Sequence, residues 1–316
     1  MKILITGGAG FVGTNLSLLL ESKNHKVIIL DDFSTGLRSN IPANIQYVEG
    51  SITDASLVRD LARKVDAIVH LAARGSVPRS IKNPVLTQEV NFQGTLNVLE
   101  AARESGAHVV FSSSSSVYGS NTELPKTESQ VLRPLTPYAA SKMSAEAIMM
   151  AYGSSYQLPV TTLRFFNVFG PWQRPDHIYS AVIPKWVWSG ITGKKIQVFG
   201  DGNQSRDFTH VNTVTQVIYF SITERVLSPE PINLALGNNI SLNFLLEKLR
   251  KHFPRLEVEF LDPRPGDVYA SQNNPSLLFK KFPNLNIDDF DLSLNSTVRW
   301  LMEQHTRITG GPNVVD

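Results

Sequence analysis

A tyrosine and a lysine stand four positions apart in the segment TPYAASK. On a helix, Tyr138 and Lys142 would lie one turn apart on the same face. A free tyrosine has a pKa of about 10 and is a poor base at neutral pH, but a neighbouring ammonium group stabilises the phenolate. The pair is therefore a candidate general base with its activating cation, although the same spacing also occurs on ordinary helix surfaces.

A glycine-rich segment near the N-terminus, ILITGGAGFVG, is a second candidate site. Its glycines follow a β-type run and precede a helical one. In such a turn Gly7 permits the tight bend, Gly10 lets backbone amides approach a diphosphate, and Gly13 lets the helix pack closely on the strand. The arrangement predicts a dinucleotide site, although glycine turns after strands also occur in proteins without one.

An acidic pair supports that interpretation and indicates which dinucleotide is bound. Asp31 and Asp32 follow the next apolar run, at the distance where a carboxylate binds the ribose diol of adenosine. A carboxylate there would repel a 2′-phosphate, so the pattern predicts NAD rather than NADP. The alternative is that the two aspartates only solvate a turn.

The elements that must position these residues follow an alternating pattern in the first half of the chain. Strands are predicted at 2–6, 26–30, 45–48, 67–70, 108–112 and 160–164, and helices at 14–22, 55–62, 90–104 and 138–151. Strands alternating with helices predict a parallel sheet covered on both faces, and hence an α/β fold. Beyond Asn167 the chain is more irregular, with helices predicted at 180–190, 211–223, 242–252 and 292–304.

Composition excludes several classes of function. The chain has 316 residues, a net charge of +2 and no cysteine. Scattered charges argue against nucleic-acid and membrane partners, and the missing cysteines exclude disulfides and thiolate metal sites. The histidines show no ligand spacing, so we expect no metal. Glycines break the N-terminal apolar run, which predicts a strand and turn rather than a secretory signal, and we expect a cytoplasmic protein.

Several motifs occur in an order typical of a known family. GGAGFVG, HLAA at 70–73, the serine run ending in VYG, and Tyr138-x-x-x-Lys142 resemble the extended short-chain dehydrogenase/reductases. Within that group the chain is similar to the NAD-dependent nucleotide-sugar epimerase/dehydratase family, from Met1 to about Leu301. VNFQGTLNVLEAA, RFFNVFGPWQRPD, GDGNQSRDFTHV and RPGDVYAS agree with this. GSVPRS and YSAVIPKW look most like the bacterial UDP-N-acetylglucosamine (UDP-glucose) 4-epimerases.

The resemblance implies a two-domain architecture. It predicts a Rossmann-type doubly wound parallel sheet for NAD at residues 1–167, followed by a smaller mixed α/β substrate domain at 168–316. Segments between about 168 and 240 are expected to interleave with the first domain. It also implies a homodimer that pairs helices 90–104 and 138–151 of each subunit.

The resemblance also implies a reaction. Tyr138 is the expected base, Lys142 its activator and a ligand of the nicotinamide ribose, and Ser114 the hydrogen-bond partner of the sugar 4-hydroxyl. Tyr138 would remove the 4-OH proton while a hydride passes from C4 to NAD. The resulting 4-keto sugar would rotate about its diphosphate linkage and present its opposite face. It would then take the hydride back from the transient NADH.

Two positions after Ser114 bear on the type of reaction. Similar 4,6-dehydratases carry Asp-Glu there, whereas this chain has Ser115 and Ser116. Decarboxylating relatives usually carry a glutamate beside Val117, and it is missing too. The serine run therefore favours 4-epimerisation, with a dehydratase that uses an unusual acid and base as the rival enzyme.

The family pattern assigns further residues. Cofactor binding is expected at Gly7, Gly10, Phe11, Val12, Gly13, Asp31, Asp32, Ile52, Leu71, Ala72, Ala73, Asn91, Ser112, Tyr138, Lys142 and Phe165. Binding of a UDP-sugar is expected at Ser76, Arg79, Ser114, Ser115, Tyr138, Asn167, Val182, Gln204, Arg206, Arg264, Asp267 and Ser271. Arg206 and Arg264 stand in separate predicted loops, and their guanidinium groups suit bidentate contacts to a diphosphate.

The identity of the sugar stays open at this point. Ser271 is small where the family varies between a bulky aromatic and a small residue, so it favours UDP-GlcNAc and UDP-GalNAc without excluding UDP-Glc and UDP-Gal. Arg74 replaces a smaller or neutral residue and keeps UDP-glucuronate open as a substrate. Ser51 replaces an aspartate that contacts adenine in relatives. A non-catalytic NAD-sensing protein is the alternative from another functional class.

Overall fold

A seven-stranded parallel sheet forms the centre of the protein. The computed structural model describes residues 1–175, 181–263 and 269–309. Within them the strands are β1 (Lys2–Thr6), β2 (Lys26–Asp31), β3 (Gln46–Glu49), β4 (Ala67–His70), β5 (His108–Ser114), β6 (Val160–Phe165), β7 (Val168–Phe169), β8 (Ile196–Phe199), β9 (Ser205–Arg206), β10 (Thr209–His210), β11 (Ile232–Leu234), β12 (Ile240–Ser241) and β13 (Val258–Leu261). The central sheet has the order β11-β6-β5-β4-β1-β2-β3.

The helices of the described residues cover this sheet and build the C-terminal part. They are α1 (Phe11–Ser22), α2 (Ala55–Ala62), α3 (Val77–Lys82), α4 (Pro84–Gln88), α5 (Gly94–Ser105), α6 (Pro137–Tyr156), α7 (Val182–Thr192), α8 (Val211–Thr223), α9 (Leu242–His252), α10 (Ser276–Lys281) and α11 (Phe290–Thr309). Single turns of 3-10 helix lie at Arg38–Asn40 and Ser115–Tyr118, and a π-helical turn lies at Glu89–Gln93. None of the described helices is long and apolar enough to span a bilayer.

The strand order places a switch point between β1 and β4. The chain runs from β1 to β2 and β3 on one side, then returns to place β4 on the other side of β1. In open α/β sheets, ligands bind in the crevice at the carboxyl ends of the strands at such a point. The segments that follow β1 and β4 are therefore the walls of the expected site.

Apolar residues that alternate along each strand separate two cores on the two faces of the sheet. Leu4 and Ile68 pack in the core beneath α2, α5 and α6. Ile3 and Val69 pack in the opposite core, which α1, α8 and α10 cover. Because both faces are buried, β1 and β4 read as continuous apolar runs rather than alternating ones. The predicted α/β fold with a doubly wound parallel sheet is confirmed.

A third core belongs to the C-terminal part of the chain. It joins α7, α9 and α11 to the parallel pair β8 and β13. Between these elements the chain returns to the central sheet, because β11 pairs with β6 and α8 packs on α1. The division at residue 167 stays a prediction.

Most predicted elements are present, with differences at their ends. Helices 211–223 and 242–252 have the bounds of α8 and α9, whereas the helix predicted at 138–151 continues to Tyr156. The helix predicted at 90–104 begins with a π-helical turn and becomes α-helical only at Gly94. The sequence analysis missed the short helices α3, α4 and α10 and the strands from β7 to β13, which have two to four residues and are too short for a clear periodicity.

Candidate active site

The glycine-rich turn lies at the carboxyl end of β1, and its geometry explains its residue types. Gly7 has a φ of +71°, and a Cβ added there would lie 2.7 Å from the backbone nitrogen of Ala72. A Cβ on Gly13 would lie 2.6 Å from the carbonyl oxygen of Gly7, so only glycine lets α1 start this close to the turn. A Cβ on Gly10 would meet only that same oxygen, at 3.3 Å. Protein packing therefore explains the glycine at position 10 less well than those at positions 7 and 13.

A cavity of about 290 Å³ opens beside this turn at the switch point. Residues predicted to bind the cofactor line it, namely Gly7, Gly10, Asp31, Asp32, Ile52, Leu71, Ala72 and Ala73. Its other lining residues are Leu30, Ser34, Thr35, Gly50, Ser51, Thr53, Arg74, Leu86, Glu89 and Val90, of which the sequence analysis singled out only Ser51 and Arg74. The remaining predicted cofactor residues, Phe11, Val12, Gly13, Asn91, Ser112, Tyr138, Lys142 and Phe165, do not line this cavity.

Asp31 ties the turn to the end of β2. Its Oδ2 accepts the backbone N–H of Ala9 at 2.9 Å, and its Oδ1 accepts that of Phe33 at 2.9 Å. Burial raises the pKa of the Asp31 carboxyl, and the two backbone hydrogen bonds oppose that rise. Each oxygen keeps a further acceptor site for a ribose hydroxyl. The glycine cradle, the carboxylate and the cavity together fit a dinucleotide such as NAD.

Ser51 takes the place of the expected adenine-binding aspartate. Its hydroxyl lies 2.8 Å from that of Thr53 and accepts the backbone N–H of the same residue at 3.2 Å. The residue lines the cavity but contributes no charge there. The cavity wall at Ser51 and Thr53 is therefore neutral and rich in hydroxyl groups.

The three predicted catalytic residues come together where β5 ends and α6 begins. Ser114 is the last residue of β5, and Tyr138 and Lys142 lie in the first two turns of α6. Thr136 caps this helix, since its side chain accepts the Ala139 N–H at 3.2 Å, and Pro137 occupies the first turn. A cap and a helix-starting proline thus place the tyrosine opposite the end of β5.

Hydrogen bonding orients the Ser114 hydroxyl towards Tyr138. Its oxygen accepts the backbone N–H of Ser116 at 3.2 Å and the Ser116 hydroxyl at 2.9 Å. The Ser114 proton is then left for the phenol oxygen of Tyr138, with which it forms a hydrogen bond. The serine and the tyrosine form a pair that can hold one substrate hydroxyl between them.

The electrostatics of this cluster differ from the sequence-based expectation. Burial raises the pKa of Tyr138, and the hydrogen bond from Ser114 only partly offsets that rise. The Lys142 ammonium donates to the Ser112 carbonyl oxygen at 2.7 Å and lies 4.8 Å from the centre of the Phe111 ring. Burial lowers the pKa of Lys142 to about 7. In the protein by itself, desolvation dominates the pKa of Tyr138. The activation of Tyr138 by Lys142 together with the nicotinamide ring therefore stays a prediction.

Asn91 connects the cavity wall to the catalytic helix. It lies in the π-helical turn, is buried, and its amide donates to the Ser141 hydroxyl at 2.8 Å. Its oxygen accepts the backbone N–H of Arg74 at 2.7 Å. The Ser141 hydroxyl in turn donates to the Tyr138 carbonyl at 2.7 Å. The side chain predicted to bind the cofactor thus joins two walls of the site through protein contacts.

A second cavity, also about 290 Å³, lies in the C-terminal part. Four residues predicted to bind the substrate line it, namely Asn167, Val182, Gln204 and Arg206. Its other lining residues are Val168, Phe169, Ala181, Ile183, Lys185, Trp186, Gln197, Phe199, Phe208 and Leu242, which the sequence analysis did not single out. A cavity with both aromatic and cationic walls suits a nucleotide.

The other predicted substrate residues lie elsewhere. Ser76 caps α3 by accepting the Arg79 N–H at 3.3 Å, and Ser115 starts the 3-10 turn after β5. Ser271 donates its backbone N–H to the Ser205 carbonyl at 3.2 Å, next to Arg206. Arg264 and Asp267 lie outside the described residues.

Asp207, which the sequence analysis missed, holds the strand that carries Arg206. Its carboxylate accepts the backbone N–H groups of Leu236 at 3.2 Å, Gly237 at 3.0 Å and Asn273 at 3.0 Å. Burial raises its pKa to about 6 although these bonds favour the charged form. The RDF tripeptide could have identified this residue, because a buried acid, Asp207, directly follows the candidate phosphate ligand Arg206 in it.

Comparison with known proteins agrees with this geometry. The model of the NAD-dependent epimerase/dehydratase family matches residues 3–235. A putative UDP-glucose 4-epimerase of Methanocaldococcus jannaschii is 34% identical over 84% of this chain and 88% of its own. A UDP-glucuronate 4-epimerase of Thermodesulfobacterium geofontis is 30% identical over 95% of this chain and 96% of its own.

Among solved structures, the chain is similar to the UDP-N-acetylglucosamine 4-epimerase of Methanobrevibacter ruminantium in complex with UDP-N-acetylmuramic acid. The two share 34% identity and superpose with a TM-score of 0.91 over 96% of this chain and 98% of the other. The region matched by the family model includes the glycine-rich turn, the serine run and α6. With its cofactor cavity and its Ser-Tyr-Lys cluster in place, the chain belongs to the NAD-dependent epimerase/dehydratase family.

Proposed function

We propose that the protein is a UDP-hexose 4-epimerase that interconverts UDP-GlcNAc and UDP-GalNAc, with UDP-Glc and UDP-Gal as a second pair to be tested. The observation that carries the proposal is the surroundings of the Ser114–Tyr138 pair. Serines occupy both positions after Ser114, and the Ser116 hydroxyl bonds to it at 2.9 Å. Elimination of water needs an acid and a base at the reacting carbons, and the hydroxyls of Ser115 and Ser116 supply neither at neutral pH.

The nearest buried carboxylate on the catalytic helix is already engaged. Glu146 accepts two hydrogen bonds from Arg164, at 2.6 and 3.0 Å, and one from the Ser113 hydroxyl at 2.7 Å. Donating a proton to a leaving hydroxide would break a buried ion pair. The cluster therefore supports oxidation and reduction at one carbon better than dehydration.

The chain's own groups have defined tasks in this reaction. Ser114 holds the sugar 4-hydroxyl, and Tyr138 accepts its proton and later returns it to O4. Bound NAD supplies the acceptor and donor of the C4 hydride. Because burial raises the pKa of Tyr138, base action near neutral pH requires a positive charge close to the phenol. Lys142, one turn away on α6, is the cation that the protein provides for this, and it also serves the nicotinamide ribose.

The sugar specificity proposed here depends on Ser271. A small side chain beside Arg206 leaves room for a 2-acetamido group. The name of the Methanobrevibacter structure, a UDP-N-acetylglucosamine 4-epimerase, is consistent with this substrate class. The name of the Thermodesulfobacterium relative keeps UDP-glucuronate 4-epimerase as the second candidate, and Arg74 is the residue that favours it.

The test is an incubation of the purified protein with UDP-GlcNAc, UDP-Glc and UDP-glucuronate, followed by NMR and mass spectrometry. We expect the mass of UDP-GlcNAc to be conserved while the 4-position inverts. Loss of one water would establish a dehydratase instead. Tyr138→Phe should abolish turnover, and unchanged turnover in that variant would overturn the assignment of the base.

We also infer that the protein forms a homodimer through α5 and α6. Small side chains follow one stripe of α6 at Ala140, Ser144, Ala147 and Ala151, and those of Ala147 and Ala151 are exposed. Such a stripe lets two helices approach closely. Light scattering should give twice the chain mass for the wild type and the chain mass for Ala147→Glu; a monomeric wild type would contradict the inference.

A further inference from the structure

Arg74 stands directly after HLAA, at the carboxyl end of β4 and at the switch point of the sheet. The side chain of Asn91 forms hydrogen bonds with both the N–H and the carbonyl group of Arg74. Asn91 accepts its N–H at 2.7 Å and donates to its carbonyl oxygen at 3.5 Å. Arg74 lines the dinucleotide cavity together with Gly7, Gly10 and Asp31. The backbone that carries the guanidinium is therefore fixed at the wall of this cavity.

The Nε atom of the Arg74 guanidinium is buried and makes no hydrogen bond within the described part of the chain. Other arginines of the protein pair with carboxylates, as Arg164 does with Glu146 at 2.6 Å and Arg103 with Glu100 at 2.6 Å. Leaving a buried charged donor unpaired costs free energy, so a residue held in this way is suited to a ligand that brings the missing acceptor.

We propose that Arg74 binds a pair of anionic oxygens of a ligand in this cavity. A guanidinium is a planar fork that matches two oxygens of a phosphate or a carboxylate. Two ligands offer this chemistry, the diphosphate of the dinucleotide and the carboxylate of a nucleotide-linked uronic acid. Arg74 lines the same cavity as Gly7 and Gly10 of the glycine-rich turn. The diphosphate is favoured as the ligand, because backbone amides of such a turn approach the diphosphate of a dinucleotide. The uronic-acid source rests on the proposed function, whereas the diphosphate source does not.

The test compares Arg74→Gln and Arg74→Lys with the wild type and with a matched control, Arg63→Gln. Arg63 is an exposed arginine that pairs with Asp60 at 3.1 Å. Full-length protein freed of bound nucleotide is titrated with NAD, ADP and adenosine by calorimetry. If the diphosphate is the partner, Arg74→Gln weakens NAD and ADP binding by ~10- to 100-fold and leaves adenosine binding unchanged. Arg74→Lys should lose less, since it keeps the charge without the fork.

The second arm measures KM for UDP-glucuronate and for UDP-GlcNAc. If the carboxylate is the partner, Arg74→Gln leaves NAD binding unchanged and raises KM for UDP-glucuronate alone. Should neither sugar react in the wild type, the proposed function fails while the NAD titrations still decide on Arg74. Thermal melting checks the fold, and Arg74→Lys carries the comparison if Arg74→Gln does not fold. Wild-type values in every titration and for both sugars overturn the proposal.

Discussion

Replacing Glu146 by glutamine tests whether a buried ion pair holds the catalytic helix against the serine strand. The side chains of Arg164 and Glu146 are only 3% and 5% exposed, and two hydrogen bonds join them. Ser113, next to Ser114 on β5, donates to the same carboxylate. Arg164 also donates to the Tyr118 hydroxyl at 2.7 Å. The pair therefore joins α6, β5 and β6 next to Ser114, one of the predicted catalytic residues.

The size of the effect follows from this burial. Glu146→Gln keeps the shape but leaves the Arg164 charge buried without its counter-charge, which typically costs ~3–5 kcal/mol. The glutamine oxygen still accepts one hydrogen bond, so we expect a loss of about 3 kcal/mol in the free energy of unfolding. Urea denaturation followed by circular dichroism would measure it as a lower midpoint at an unchanged slope.

Two controls separate the ion pair from general damage. Asp60→Asn breaks an exposed pair, with side chains 64% and 69% exposed, and should change stability by less than ~1 kcal/mol. Adding Arg164→Met to Glu146→Gln should destabilise by less than the sum of the single changes, because the two residues are coupled. A loss below about 1 kcal/mol in Glu146→Gln would refute the idea that the buried charge needs its partner.

Three further predictions concern the cofactor and substrate sites. Gly13→Ala should destabilise the protein by ~1–3 kcal/mol, because its Cβ would lie 2.6 Å from the Gly7 oxygen. Gly10→Ala should instead weaken NAD binding with little loss of stability. The reverse pattern in denaturation and calorimetry would contradict these roles. In NAD-free protein, the Lys142 pKa of about 7 lies below the unfolded value, so the folded state binds fewer protons above pH 7 and stability gains from this group as pH rises towards 10. Lys142→Met should lack that gain, of up to ~4 kcal/mol, and parallel pH profiles would disprove it. Ser271→Tyr should raise KM for UDP-GlcNAc more than for UDP-Glc in steady-state assays, and an equal rise for both sugars would count against a role in sugar choice.

Local features of the sequence were enough for the long helices, for the six strands from β1 to β6 and for the glycine-rich turn. Buried parallel strands read as continuous apolar runs, as in β1 and β4, and glycine is required where φ is positive or a Cβ would touch backbone, as at Gly7 and Gly13. The order of motifs along the chain then pointed to the family. The residues of each such motif lie close together in the sequence, so no tertiary contact is needed to recognise it.

Tertiary structure decided what depends on contacts between distant residues. Glu146 and Arg164 form an ion pair, and the Asn91 side chain accepts the backbone N–H of Arg74. The three-residue strand β11 becomes the edge of the sheet only by pairing with β6. The direction of the pKa shifts at Tyr138 and Lys142 also required the fold, because it depends on burial rather than on their spacing. Sequence spacing shows which groups can meet on a helix, whereas the surrounding protein determines how much water they keep and hence how they ionise.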